Sequence, residues 1–248
     1  MYGALHRDRY PGAVVHDTCA VCYAILSAIK EIEMKDNNLS RRNIITAGAI
    51  AGAGLGLARA EDDKPHRSAT IAQTEGPFYP VTDQSDKDAD LTQIDGVDGV
   101  AVGEVVVIEG RIVDESSQPI ADAVVDVWRA NAAGRYAHES DPNPAPLDRN
   151  FQGWAIMKTD AEGRYRFKTV KPGAYPVEEG WDRPPHIHFK VSRRGWRDIT
   201  TQMYFPDEPL NDVDNLLLNV PQAHRASLMA KQKNTDGVLN FDVVLEKV

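Results

Sequence analysis

From Gly103 onward the chain breaks into seven short runs rich in β-branched and aromatic residues, and no other feature restricts its fold as much. The runs are Val105 to Val113, Ala123 to Trp128, Trp154 to Thr159, Tyr165 to Val170, His186 to Val191, Ile199 to Phe205 and Val238 to Leu245. Turn-forming stretches punctuate them: Asp114-Glu115-Ser116-Ser117, Asp160-Ala161-Glu162-Gly163 and Lys171-Pro172-Gly173. Short strands at this spacing predict an all-β fold, an antiparallel β-sandwich with long loops. One helix is expected, over Pro221 to Lys233, where proline opens the first turn and Ala223, Ala226, Leu228 and Met229 follow.

The residues before Gly103 read differently. Ser40-Arg41-Arg42-Asn43-Ile44-Ile45 places twin arginines before a mildly apolar Ala/Gly-rich stretch that ends in Ala58-Arg59-Ala60. A charged start, a short apolar centre and a small-x-small cleavage site are the parts of an export signal, here of the twin-arginine kind that carries folded proteins. Met34 would give that signal a conventional start. Residues 1–33 are therefore expected to be an over-extended reading of the gene, 34–60 the signal peptide, 61–102 a polar N-terminal arm and 103–248 the β-sandwich domain. The expected location is periplasmic or secreted. Gly52, Gly54 and Gly56 miss the spacing of a dinucleotide-binding turn. The two cysteines, Cys19 and Cys22, fall outside the expected mature chain and form a lone pair with no partner pair for zinc.

Charge and hydropathy remove further classes. A formal charge of −9 with no basic cluster leaves a nucleic-acid partner without an electrostatic footprint. No apolar run reaches the roughly 18 residues of a membrane-spanning helix, so no stable membrane insertion is expected. The acidic run from Asp83 to Asp90 lacks the spacing of a calcium loop and reads as solvated. Within the arm, Thr74-Glu75-Gly76-Pro77-Phe78-Tyr79-Pro80 is a stiff turn that carries aromatics.

The pentapeptide Pro185-His186-Ile187-His188-Phe189 carries the clearest chemical signal. Side chains alternate along a strand, so His186 and His188 share one face while Ile187 and Phe189 share the other. Two imidazoles side by side can clamp a metal, or can be hydrogen-bonded to neighbours with no metal at all. Three completions are open. His138 and His224 would make a three-histidine zinc site; a carboxylate would make a facial triad for ferrous iron; Tyr136 and Tyr175, both at turn-like strand ends, would offer phenolates suited to Fe(III).

Longer stretches resolve the choice by resemblance. Gly110-Arg111-Ile112-Val113-Asp114, Val127-Trp128-Arg129-Ala130-Asn131-Ala132-Ala133-Gly134-Arg135-Tyr136, Ala145 to Phe151, Lys171 to Pro176, Trp181 to Phe189 and Thr201-Gln202-Met203-Tyr204-Phe205 together resemble the intradiol ring-cleavage dioxygenases, most nearly the protocatechuate 3,4-dioxygenase β-subunit branch. The likeness runs from about residue 70 to the end. It implies non-haem Fe(III) held by Tyr136, Tyr175, His186 and His188 with a hydroxide as fifth ligand, Tyr175 and His186 axial, Tyr136 and His188 equatorial. It further implies that Tyr175 is an internal base for a catechol proton, and that Arg183 and Gln202 stabilise charge and orient the substrate and O2. The implied product is a cis,cis-muconate-type dicarboxylate.

The sequence also departs from that branch. Val177 and Glu178 stand where its members carry Trp and Arg after the Tyr-Pro pair, and the loop to His186 is shorter. A negative Glu178 there does not favour a benzoate carboxylate. The long helical dimerisation region of the cytosolic relatives is missing, which leaves room for a homo-oligomer of another kind. Two other classes compete with the exported dioxygenase: a non-catalytic exported β-sandwich binding module, which leaves both tyrosines unexplained, and a zinc or ferrous hydrolase built on His186, His188 and a carboxylate.

Overall fold

The computed structural model describes residues 66–84, 86–233 and 237–248. The export signal, the start at Met34 and the Cys19/Cys22 pair lie outside the described residues.

Eleven strands follow in order: β1 Val105–Asp114, β2 Val124–Trp128, β3 Trp154–Lys158, β4 Arg164–Val170, β5 Tyr175–Glu178, β6 Trp181–Arg183, β7 His186–Ser192, β8 Ile199–Tyr204, β9 Lys231–Gln232, β10 Val238–Asn240 and β11 Val243–Leu245. One sheet has β1 at its centre, with β4 antiparallel on one side and β10 and β11 parallel on the other. The second sheet is antiparallel in the order β3-β2-β7-β8, and β5 and β6 form a separate hairpin. Alternation explains how the sheets face each other. Val106, Ile108 and Ile112 of the first sheet and Val125, Val127, Ile187, Phe189, Val191 and Met203 of the second join one buried cluster. This is the sandwich that the strand spacing predicts.

Two expectations differ in detail. The run Val238 to Leu245 is two strands, not one. The register on β1 continues across the gap, with Val107 opposite Val238 and Ile112 opposite Val243. At the gap the Asp242 carboxylate, in place of a backbone carbonyl, accepts from the Arg111 N–H at 3.0 Å.

The expected helix Pro221 to Lys233 shrinks to a single α-turn, Gln222–Arg225, and a 3-10 turn, Ala226–Leu228. Its apolar residues serve strand pairing instead. Met229 is extended, Ala230 N–H donates to the Tyr204 carbonyl at 2.9 Å, and β9 pairs with β10. A helix this short gains too little from its own hydrogen bonds to resist that tertiary pull.

The segment from Arg67 to Thr74 runs along the sandwich. Thr70 N–H donates to the Val244 carbonyl at 3.0 Å and Gln73 N–H to Thr200 at 2.8 Å. Thr201 Oγ1 donates to the Ile71 carbonyl at 2.8 Å. The next residues cross the outer face of the second sheet as a strap. There Tyr79 donates its hydroxyl to Asp126 Oδ2 at 2.7 Å.

Candidate metal centre

Strand register assembles the base of the site. Trp154 faces Trp128, Trp128 faces His188 and His188 faces Gln202, so one row crosses the outer face of the second sheet. Trp128 stacks on the His188 ring at 4.8 Å with an 11° interplanar angle. His186, two residues before His188, shares its face and faces Tyr204 on β8.

The tyrosines arrive on two loops that press together. A Cβ on Gly134 would lie 2.2 Å from the Ala174 carbonyl oxygen, and one on Gly173 would lie 2.5 Å from that of Ala132. Gly134 also has φ +78, a left-handed conformation that only glycine adopts without strain. Both glycine N–H groups donate to the Asn131 carbonyl, at 3.0 and 2.9 Å. The Asn131 side chain in turn accepts from Ala133 and Arg135 N–H. Asp141 accepts from the Tyr136 N–H at 2.7 Å. Tyr136 and Tyr175 thus meet edge to face, with centroids 5.6 Å apart.

The polar atoms converge. Tyr136 Oη lies 3.1 Å from His188 Nε2 and 3.4 Å from His186 Nε2, and the two Nε2 atoms are 3.2 Å apart. Tyr175 packs 5.6 Å from the His186 ring. His186 and His188 are both buried. His186 Nδ1 is 2.7 Å from the Pro184 carbonyl, which only accepts, so the ring proton sits on Nδ1 and the Nε2 lone pair faces inward.

Burial, and then the nearby Arg183 charge, hold His186 well below its ordinary pKa and push His188 down to about 3. Both are neutral imidazoles at pH 7. Burial raises Tyr136 well above an ordinary phenol, with Tyr175 adding to the rise, and burial raises Tyr175 as well.

The donor set fits a bound cation. His186 aims a lone pair at the point where His188 Nε2 and Tyr136 Oη also converge, and the buried His188 Nδ1 has no partner to fix its ring proton. No group of three or more His, Cys, Asp or Glu side chains comes together among the described residues. Phenols are therefore the available partners for the histidine pair, and a carboxylate triad is not formed. His138 instead accepts from Ser140 N–H at 3.1 Å and packs 5.8 Å from Phe78. His224 borders a hollow beside Arg67 and Asp242. Neither histidine joins the pair.

Arg183 and Gln202 sit beside the centre. Arg183 Nη2 donates to Gln202 Oε1 at 2.6 Å and to the Tyr204 hydroxyl at 3.2 Å. Its Nε forms an ion pair with Asp214 at 2.9 Å, and both residues are almost fully buried. Gln202 Nε2 donates to the Thr74 carbonyl at 3.0 Å, which ties the strap to the sheet.

Sequence reasoning missed several participants. Phe78 lies 4.9 Å from the Tyr136 ring. Asp126 accepts from both Tyr79 and Trp154, each at 2.7 Å. Asp214 also accepts from Leu217 N–H, capping a short helical turn at Asn215–Leu218. The sequence signal for Asp214 is an Asp just before an apolar helical start. Tyr79 packs on Trp128 at 4.9 Å, while Phe78 is the strap aromatic that borders the cavity.

That cavity, about 430 Å³, is bordered by Pro77, Phe78, Tyr175, Val177, Arg183 and His188 among others. Hollows of about 480 Å³ near Glu109 and about 600 Å³ near His224 touch none of these groups.

Comparison with known proteins agrees with this geometry. The family model Dioxygenase_C, described as "Dioxygenase", matches residues 74–247. The protocatechuate 3,4-dioxygenase beta chain of Burkholderia cepacia is 46% identical over 160 residues, covering 62% of this chain and 67% of that one. Catechol 1,2-dioxygenase 2 of Acinetobacter lwoffii is 32% identical over 185 residues, covering 64% and 62%. The chain thus spans about two thirds or less of the length of these relatives. The solved dioxygenase domain of a dioxygenase carbohydrate-binding protein fusion from Streptomyces sp. SirexAA-E superposes with a TM-score of 0.55 at 25% identity, over 73% of this chain and all of that one.

Proposed function

The chain belongs to the intradiol ring-cleavage dioxygenases, and from that premise we propose that it uses Fe(III) to split a catechol between its two hydroxyls with O2, giving a cis,cis-muconate-type dicarboxylate. The observation that carries the proposal is the convergence of Tyr136 Oη, His186 Nε2 and His188 Nε2 within 3.1 to 3.4 Å of one another in a buried site. Tyr136, Tyr175, His186 and His188 would hold the iron. When bound, ferric iron supplies withdrawal of electron density from a catecholate, which opens the ring to dioxygen.

The chain's own residues do the rest. A catechol surrenders two protons on binding: the Tyr175 phenolate oxygen, at the cavity wall, would take one as internal base, and a hydroxide in the cavity would take the other and leave as water. A second phenolate, that of Tyr136, keeps its negative charge, so the buried site never holds an uncompensated charge. Arg183, fixed by its ion pair with Asp214 at the base of the cavity, faces only the reacting end of the substrate. There its guanidinium would stabilise developing negative charge without serving as a cation for the ring substituent. Gln202 holds Arg183 in place and ties the strap over the cavity. Phe78, Pro77 and the walls around them exclude water and hold the ring flat.

A visible spectrum of the purified chain, taken under air before and after adding catechol, tests the proposal. A red-brown tyrosinate-to-iron band that shifts with catechol is expected. A protein that stays colourless after ferric reconstitution would sink it.

Export belongs to the same proposal: Ser40-Arg41-Arg42 and the stretch to Ala60 direct the protein through the twin-arginine route to the periplasm or beyond. Arg41→Lys with Arg42→Lys should then leave it in the cytoplasm, and unchanged export would refute that route. Relatives occur as alpha and beta chains, and self-association of this chain into a homo-oligomer is proposed in the same spirit. Light scattering of the purified protein would read a mass above 27.4 kDa.

A further inference from the structure

The cavity over the candidate centre has a chemically distinct base and mouth. Tyr175, Arg183 and His188 are buried at the base, whereas Val177, at the rim, is 49% exposed. A catechol whose hydroxyls reach the base directs its ring substituent toward Pro142, Val177, Trp181 and Leu216. Among the described residues bordering the cavity, Arg183 is the one cationic side chain. Its charge is already matched by Asp214 at 2.9 Å, and its Nη2 is spent on Gln202 and Tyr204. Asp141, the one carboxylate on the wall, has its oxygens committed to the Tyr136 and Asn143 N–H groups. The β5–β6 hairpin also carries Glu178, Glu179 and Asp182, all exposed, and none of them borders the cavity. The mouth is therefore largely apolar and lacks a free cation among the described residues that border it.

A carboxylate on the ring would be desolvated there without a partner. An alkyl or halogen substituent would be buried against proline, valine, leucine and tryptophan. The volume, about 430 Å³, lies within the range that takes ligands larger than a single bare ring. We infer that the substrate is a catechol bearing an uncharged, apolar ring substituent, and that a benzoate-type catechol is rejected. The inference rests on the proposed catechol cleavage and differs from what the name of the Burkholderia relative says of that protein.

The test compares 4-methylcatechol with 3,4-dihydroxybenzoate, which places a methyl or a carboxylate at the same ring position. Oxygen uptake by the iron-loaded full chain is measured with each. The kcat/KM for 4-methylcatechol should be higher by about tenfold or more. Val177→Lys puts a cation at an exposed rim position with little packing to lose, and should narrow the gap by raising kcat/KM for the dihydroxybenzoate. Equal or faster turnover of the dihydroxybenzoate by the native chain would overturn the inference and leave catechol cleavage standing. A wide native gap that Val177→Lys does not narrow would overturn the charge argument behind it. No uptake with either compound, together with a colourless protein, would overturn the underlying dioxygenase proposal.

Discussion

Over its first four residues, His186 to Phe189, the two faces of β7 are buried to the same depth and carry opposite chemistry. On the inner face Ile187, Phe189 and Val191 have no exposure, and Phe189 lies 5.1 Å from Phe241 and 6.1 Å from Phe167. On the outer face His186 and His188 are 2% and 3% exposed. The inner residues gain free energy from leaving water, roughly 1.5–3 kcal/mol for a fully buried large side chain. The outer residues lose it: burial strips two imidazoles of solvent and leaves the His188 Nδ1 without a partner. An arrangement that costs stability on one face and contributes it on the other separates what the fold needs from what the reaction needs.

The contrast can be broken experimentally, and the largest effect belongs to the outer face. Tyr136→Phe should remove the visible band and most of the iron and lower kcat/KM by about a thousandfold, roughly 4 kcal/mol. The melting temperature of the metal-free protein should move little. If the variant lost its fold instead, the division between the faces would be wrong. Phe189→Ala comes next, with an expected cost of about 3–5 kcal/mol in unfolding free energy, read by denaturant titration. Iron bound per folded molecule should stay at the native value.

Tyr175→Phe should keep iron and its colour while slowing catechol binding by about a hundredfold in stopped-flow traces, the size of a lost general base. Wild-type binding rates would reassign the proton acceptor. The smallest effect is expected at Tyr79→Phe, which removes the hydrogen bond from the strap to Asp126. About 1 kcal/mol of stability should be lost, with KM rising and kcat unchanged as the strap loosens. A fall in kcat alone would show that Tyr79 acts on the chemistry and not on the strap.

How much the sequence discloses follows the same division. The inner face is written in local alternation, and all seven β-rich runs lie on strands of the sandwich. The direction of His186 and His188 follows from that alternation too. Tyr136 and Tyr175 needed resemblance, because their meeting depends on two glycines separated in sequence that let loops touch. Phe78 and Asp126 were illegible for a related reason: each acts through partners set by strand register or by the strap, not by neighbours in sequence. Asp214, by contrast, carries a local cue before Asn215–Leu218 that says nothing of its ion pair with Arg183. The hairpin β5–β6 also escaped notice, since strands of four and three residues with Pro176 in one of them carry almost no periodic signal. Its turn residue Gly180, at φ +81, was the available cue. The helix expected from Pro221 failed because strand pairing by Met229 to Gln232 outweighs local propensity.

The bond between Thr70 and β11 also sets a timetable. Thr70 N–H reaches the Val244 carbonyl and Val244 N–H reaches Thr70 Oγ1 at 2.8 Å, a link between residues 174 apart in sequence. A ribosome emits residues in order, so the segment that leads into the strap can bond to β8 through Ile71 and Gln73 before β11 has emerged, whereas Thr70 must wait for β11. Such far-separated pairing is slow to form. The seating of the strap's lead-in is therefore completed in two instalments, the last of them after the histidine pair has already been made.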